Sequence, residues 1–189
     1  ILAVMYFCYN FNLNVYQDWF PTYLDNVHHI SITKMGLYAF SPLFAGVLGD
    51  LAGGWVSDHV LHLTGNVNLA RRWVAIAGFV LYVLVTIPAA LSTNVYVTIG
   101  LLCVAFFAVE WTVGISWAIP LDIGGDYSGT LSAFMNMCGN LGGALATTYF
   151  GLLVEHFGWS VPFQITTGLA ALAALFYLRI DATKKVFAS

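Results

Sequence analysis

Six stretches of this chain are each apolar enough and long enough to cross a lipid bilayer. Little between them could wet the surface of a soluble core. One of them, Val95 to Leu121, has no basic residue and a single carboxylate, Glu110, about halfway along. A helix rises about 1.5 Å per residue, so roughly 20 mostly apolar residues cross the hydrocarbon. On that rule the spans fall at about 1–24, 35–56, 73–91, 95–121, 131–154 and 161–180. Lipid offers the backbone no hydrogen bonds, so each span is expected to be a helix. The expected fold class is all-α, a polytopic membrane protein built as a six-helix bundle with short connections.

Composition excludes several alternatives. Charged residues make up 8% of the 189 and hydrophobic ones 60%, against about 25% and about 45–50% in soluble domains. A net charge of −3 offers no basic face to nucleic acid. Cys8, Cys103 and Cys138 stand singly in apolar runs and read as small packing residues. The first span lacks a basic leader and carries Asn10, Asn12, Asn14, Gln17 and Asp18, so it is no signal peptide. The chain has no initiator Met and opens inside a span, and it is expected to be a piece of something longer. Arg71, Arg72, Arg179, Lys184 and Lys185 fall on one side of a six-span topology, with both chain ends; only Lys34 lies opposite. The positive-inside rule makes the basic side cytoplasmic.

Small residues recur four apart. Gly49 and Gly53 do so in the second span, Gly139 and Gly143 in the fifth. Such spacing lets helix backbones approach closely in lipid, and packing is the expected role.

Two segments carry a family likeness. GGWVSD (Gly53 to Asp58) closes the second span, and Arg71 and Arg72 open the third. Together they resemble the G-x-x-x-D…R/K-R/K loop motif of the major facilitator superfamily, with Gly54, Asp58, Arg71 and Arg72 in its positions. SWAIPLDIGGDYSGTLSAFMNMCGNLGG (Ser116 to Gly143) and WFPTYL (Trp19 to Leu24) are similar to the anion:cation symporter branch, which includes hexuronate, glucarate and galactonate carriers. The resemblance implies the C-terminal half of a twelve-helix, proton-coupled carrier in the bacterial inner membrane. It implies a small organic anion such as a sugar acid as substrate and a proton as coupling ion, with no cofactor or metal. The N-terminal half would be a separate six-helix partner holding most of the groups that handle anion and proton.

Within that frame the polar residues can be assigned. Tyr6, Asn10, Asn14 and Gln17 share one helical face. Two roles fit them: contact with sugar-acid hydroxyls, or hydrogen-bonding between helices. Asn14 and Gln17 are the substrate candidates, with Asn136 and Asn140, again four apart, on the fifth span. On the fourth, Glu110, Gly114 and Trp117 share a face with Trp111 and Ser116 to its sides, and Trp111, Ser116 and Trp117 complete the substrate set. An ionised carboxylate at the bilayer centre costs at least about 2.5 kcal/mol. Glu110 is therefore either a proton-coupling group or a protonated hydrogen-bond donor. Gly54, Asp58, Arg71 and Arg72 are expected to form a cytoplasmic gate, or a plain topological anchor. Asp122 and Asp126 are expected to cap helices in a turn. His28, His29, His59 and His62 are placed in loops, without a third metal ligand beside either pair. An intramembrane enzyme would need a convergent acid/base or metal set, and a receptor or scaffold would need no polar stripes; both are weaker readings than transport.

Overall fold

The computed structural model describes residues 1–30 and 32–186, with all their side chains except those of Ile32, Thr33, Lys34 and Leu37. The Lys34 side chain, expected at the end opposite the other basic groups, thus lies outside the described residues. Among the described residues the α-helices are α1 (Leu2–His28), α2 (Ile32–Thr64), α3 (Val74–Leu91), α4 (Val95–Glu110), α5 (Val113–Gly124), α6 (Ser128–Phe157) and α7 (Ser160–Arg179). A π-helical turn, Leu69–Trp73, leads into α3, and a 3-10 turn, Gly125–Tyr127, joins α5 to α6.

Four stretches are apolar and long enough to be spans by composition: Tyr38–Thr64, Leu69–Leu91, Val95–Phe157 and Ser160–Arg179. The difference from six has two physical sources. α1, at 27 residues, is long enough, but its amides lower its apolarity; Asn10 and Asn12 are buried in the bundle. The stretch Val95–Phe157 is 63 residues, about three times what one crossing needs. It turns at Gly124–Tyr127, where Gly125 adopts φ +51°, a left-handed conformation that glycine tolerates. Helices also run beyond the apolar segments. α2 continues to Thr64, so His59 and His62 are helical rather than in a loop, and His59 stacks on Trp55 at 5.3 Å.

α1 lies along α6 and α7, α2 along α4, and α3 between α4 and α7. Buried polar groups tie further helices of the bundle together, since lipid leaves them no other partner. Tyr82 of α3 donates to Asn12 Oδ1 of α1 at 2.8 Å. Ser116 of α5 bonds the Tyr177 hydroxyl of α7 at 2.7 Å.

The fourth span is not one helix. Thr112 N–H reaches only three residues back, to the Val109 carbonyl, at 3.1 Å, and its hydroxyl donates to the same oxygen at 2.8 Å. Ser116 then donates to the Thr112 carbonyl at 2.7 Å. Side chains that bond back onto their own helix bend it, and a tight 3-10 turn inside a helix marks a hinge. Glu110 is the last residue of α4, so it sits at a break.

The glycines permit the closest approaches. A side chain on Gly49 would overlap the Phe107 carbonyl, and one on Gly53 the Trp111 carbonyl, so α2 lies backbone to backbone on α4 and its break. On α6, Gly142 meets the Phe7 carbonyl of α1, and Gly139 and Gly143 receive Tyr6, Asn10 and Asn14. The packing role expected of these glycines is the one they have. Gly53→Leu must push the helices apart, with an expected loss of about 1–3 kcal/mol or more. It should lower the thermal midpoint of the purified protein in detergent far more than Gly36→Leu, where nothing lies within 4 Å.

Candidate functional site

The helix break gathers a polar cluster near the middle of the bundle. Tyr9 of α1, 1% exposed, donates its hydroxyl to Glu110 Oε2 at 3.1 Å. Tyr6, one turn earlier, stacks on Tyr9 with ring centroids 5.1 Å apart. The Trp117 indole N–H of α5 donates to the Tyr6 hydroxyl at 2.8 Å, and the two rings meet edge to face. Glu110 and Trp117, the shared face read from the sequence, are thus joined through two tyrosines of α1. Glu110 is half-buried and Trp117 is 38% exposed, so the cluster has an accessible side.

The other expected substrate residues are distributed differently. Asn14 is half-buried against Gly143, and its amide N–H donates to the Asn10 carbonyl at 2.9 Å. Gln17 and Asn140 are exposed and Asn136 is half-buried; among the described residues none of the three makes a side-chain hydrogen bond. Trp111 turns to the far side, where its indole N–H donates to the Val74 carbonyl at 2.9 Å. Ser116 is fully buried between Thr112 and Tyr177. The last two side chains hold the break in place and do not reach the accessible side of the cluster.

One acid escaped the sequence reading. Asp50 of α2 stands beside Gly114 and within electrostatic reach of Glu110, Tyr6 and Tyr9. Its signal was present: a carboxylate inside an apolar run, the same oddity that marked Glu110.

A second network closes the basic end. The π-helical turn aims its two arginines apart. Arg71, with its side chain 9% exposed, donates to Ser57 Oγ at 2.7 Å, Asp58 Oδ1 at 2.9 Å and Asp122 Oδ2 at 2.8 Å. It therefore clamps the end of α2 to the end of α5. Arg72 donates from Nε to the Ile180 carbonyl at 3.0 Å and from Nη2 to the same oxygen, covering the C-terminus of α7. Gly54 lies along the same approach, its Cα 3.7 Å from where a side chain on Gly114 would begin. Asp122, expected to be a turn cap, is instead the less exposed partner of Arg71, 26% against 64% for Asp58. Contact across the bundle decided its role, and no local spacing announces that.

The segment after α7 folds back over this end. Lys185 Nζ donates to the Asp122 carbonyl at 2.7 Å, and Asn68 donates to Asp181 at 2.9 Å while accepting from Ala182 N–H. Hydrogen bonds from Thr183 and Asn68 hold the Asp181 carboxyl at about 2, below the usual carboxylate range.

A broken helix lining a half-buried polar cluster, in a bundle of membrane-length helices, is a feature that transporter folds share. The sequence pattern of the Major Facilitator Superfamily matches residues 2–189, and the chain belongs to that family. It is 36% identical to a probable sulfoacetate transporter of Cupriavidus necator over 90% of its length and 40% of the relative's. It is 30% identical to a probable galactarate/D-glucarate transporter of Escherichia coli, covering 89% of the chain and 37% of that protein. Against a hexuronate transporter of Bacillus subtilis the identity is 28%, over 94% and 43%. The chain thus spans about two fifths of the length of these relatives. Their names are those of transporters of organic anions, which bears out the resemblance and points away from enzyme chemistry.

Because Asp122 is the less exposed partner, Asp122→Asn should cost about 2 kcal/mol and Asp58→Asn clearly less, read as thermal unfolding in detergent. The Asp181 contact has a pH window of its own. Its folded value lies below the ordinary value of about 3.9, so the contact contributes above that pH and is lost as pH falls towards about 2. Amide exchange at Ala182 and Thr183, compared with α7, should rise across that window.

Proposed function

We propose that this chain is the C-terminal six-helix half of a twelve-helix secondary carrier, and that the whole protein moves a small organic anion, of the sugar-acid kind, in symport with protons. The N-terminal half is its partner within the same fold, and the membrane is the bacterial plasma membrane. The basic end, with both ends of this segment, lies in the cytoplasm, consistent with where Arg71, Arg72, Arg179, Lys184 and Lys185 stand.

The observation that carries this reading is the Tyr9–Glu110 hydrogen bond at a helix break about midway through the fourth span. A carboxyl kept within the bilayer, half-buried and served by a single hydroxyl donor, suits a group that takes up and releases a proton as access changes. Asn14, Gln17, Trp117, Asn136 and Asn140 would form this half's wall of the anion site, with amides and an indole suited to hydroxyl groups. Trp111 and Ser116 position that wall by holding the break. No arginine or lysine described in this chain stands near mid-span, so the anion's charge would be met by the partner half. Alternating access follows from one half rocking against the other, with the Arg71–Asp58–Asp122 cluster and Arg72 closing the cytoplasmic end.

The test uses the full-length carrier in proteoliposomes, with uptake measured for a panel of sugar acids and for sulfoacetate. Glu110→Gln should lower proton-driven accumulation at least tenfold while sparing exchange of labelled for unlabelled substrate. Accumulation at the wild-type level would sink the coupling role of Glu110, and no uptake of any anion by the wild-type protein would sink the substrate class.

A further inference from the structure

α1 and α6 lie against each other along much of their length, and polar side chains follow the contact on both. On α1 they are Asn14, Gln17 and Asp18; on α6 they are Asn136, Asn140 and Thr147, spaced to share one helical face. Between Met5 and Pro21, Gln17 and Asp18 are the two exposed residues of α1, and on α6 Asn140 and Thr147 are exposed as well. The Thr147 hydroxyl donates to Asp18 Oδ2, and the Trp19 indole N–H donates to the Thr147 carbonyl at 3.3 Å. Trp19 is itself seated on Gly151 and Asn14 on Gly143, so the contact is fixed at three successive turns of α6.

Asp18 is thus held by one oxygen. Among the described residues its Oδ1 makes no hydrogen bond, and the ion pairs are both made by Arg71, at the basic end. A carboxylate exposed within a span does not face lipid, where nothing compensates its desolvation. It faces water, a solute or the partner half. A cation of the partner half would pair with Asp18 without needing the amides and hydroxyl that surround it, whereas those groups suit a hydroxylated solute. In a site for an anion this acid has two effects. Its free oxygen accepts hydrogen bonds from solute hydroxyls, and such charge-assisted bonds are about twice as strong as neutral ones. The same charge repels a second anionic group, and once the two halves enclose the solute that repulsion is worth at least about tenfold in affinity.

We propose that Asp18, anchored by Thr147, determines the specificity of the anion site: it binds hydroxyls at the uncharged end of the solute and excludes acids charged at both ends. The carboxylate of the solute points away from Asp18, toward the partner half, and its hydroxylated tail lies against Gln17, Asp18 and Thr147. The preferred solute is then a polyhydroxylated monoanion, an aldonate or a hexuronate, rather than a dianion. This rests on the organic-anion reading above, which holds whichever acid is moved.

The experiment compares gluconate with glucarate, which differ only in whether the far end is a hydroxymethyl or a carboxylate, and adds sulfoacetate, a dianion without hydroxyls. KM and kcat for uptake are measured in proteoliposomes of the full-length carrier, and binding is read separately as thermal stabilisation in detergent. Wild type should favour gluconate over glucarate by at least about tenfold in kcat/KM. Asp18→Asn should move the two acids in opposite directions, raising the KM for gluconate and lowering that for glucarate, a crossing that a merely structural defect does not produce. Thr147→Val keeps the charge and removes its anchor, so it should raise the KM for gluconate and leave glucarate excluded; it also carries the test if Asp18→Asn fails to fold. A wild type that favours glucarate or sulfoacetate, an unchanged ratio in Asp18→Asn, or an unchanged KM in Thr147→Val overturns the role of Asp18 while leaving the carrier reading intact. A folded wild type that neither binds nor moves any of the three acids overturns the sugar-acid reading, and this inference with it.

Discussion

Lipid withholds two things that water gives a folding chain: hydrogen bonds for stray polar groups, and a gain from burying apolar ones. Helices in such a solvent associate where backbones can touch. In this chain that condition is met by Gly49 and Gly53 on the α4 carbonyls and by Gly142 on the carbonyl of Phe7. Much of the rest depends on these approaches. With α2 pressed against the α4–α5 break, Glu110 falls over Gly46 and Asp50 over Gly114. With α1 pressed against α6, Tyr6 and Tyr9 turn their hydroxyls toward the same centre. A bulkier contact would push α2 off the break and move Glu110 and Asp50 from those glycines.

The same solvent explains why the molecule keeps its cations and its mid-span acids apart. Arg71 is nearly buried but saturated by Ser57, Asp58 and Asp122 at the end of the bundle, where water is near and Asp58 remains largely exposed. Its three bonds join the ends of two helices, and the segment beyond α7 adds a second layer through Lys185 and Asp181. The centre has acids, tyrosines and an indole. One region is thus built from charge pairs that join helix ends, the other from carboxyls among aromatic hydroxyls and an indole.

Much of this was legible from the residues alone. Apolar runs gave the all-helical membrane class, paired glycines marked the close contacts, and Glu110 stood out as a carboxylate in an apolar stretch. What was less legible follows from geometry that a linear pattern lacks. Asp50 was overlooked because its run also carries Gly49 and Gly53 and reads as a packing face. Asp122 looked like a turn residue because its partner is far away in sequence. Trp111 and Ser116 lay beside the right face, but the turn at Thr112 and the bonds to Val74 and Tyr177 drew them away from it.

The sequence by itself determined the solvent and the helical class, and it grouped most of the positive charge, because those depend on length and composition along the chain. It also set a carboxylate, Glu110, inside an apolar run. Only the tertiary structure decided that this carboxylate accepts from Tyr9 and that Asp50 stands against Gly114, one turn beyond it. Those neighbours come from three separate helices, and their meeting is set by which glycines let which backbones approach.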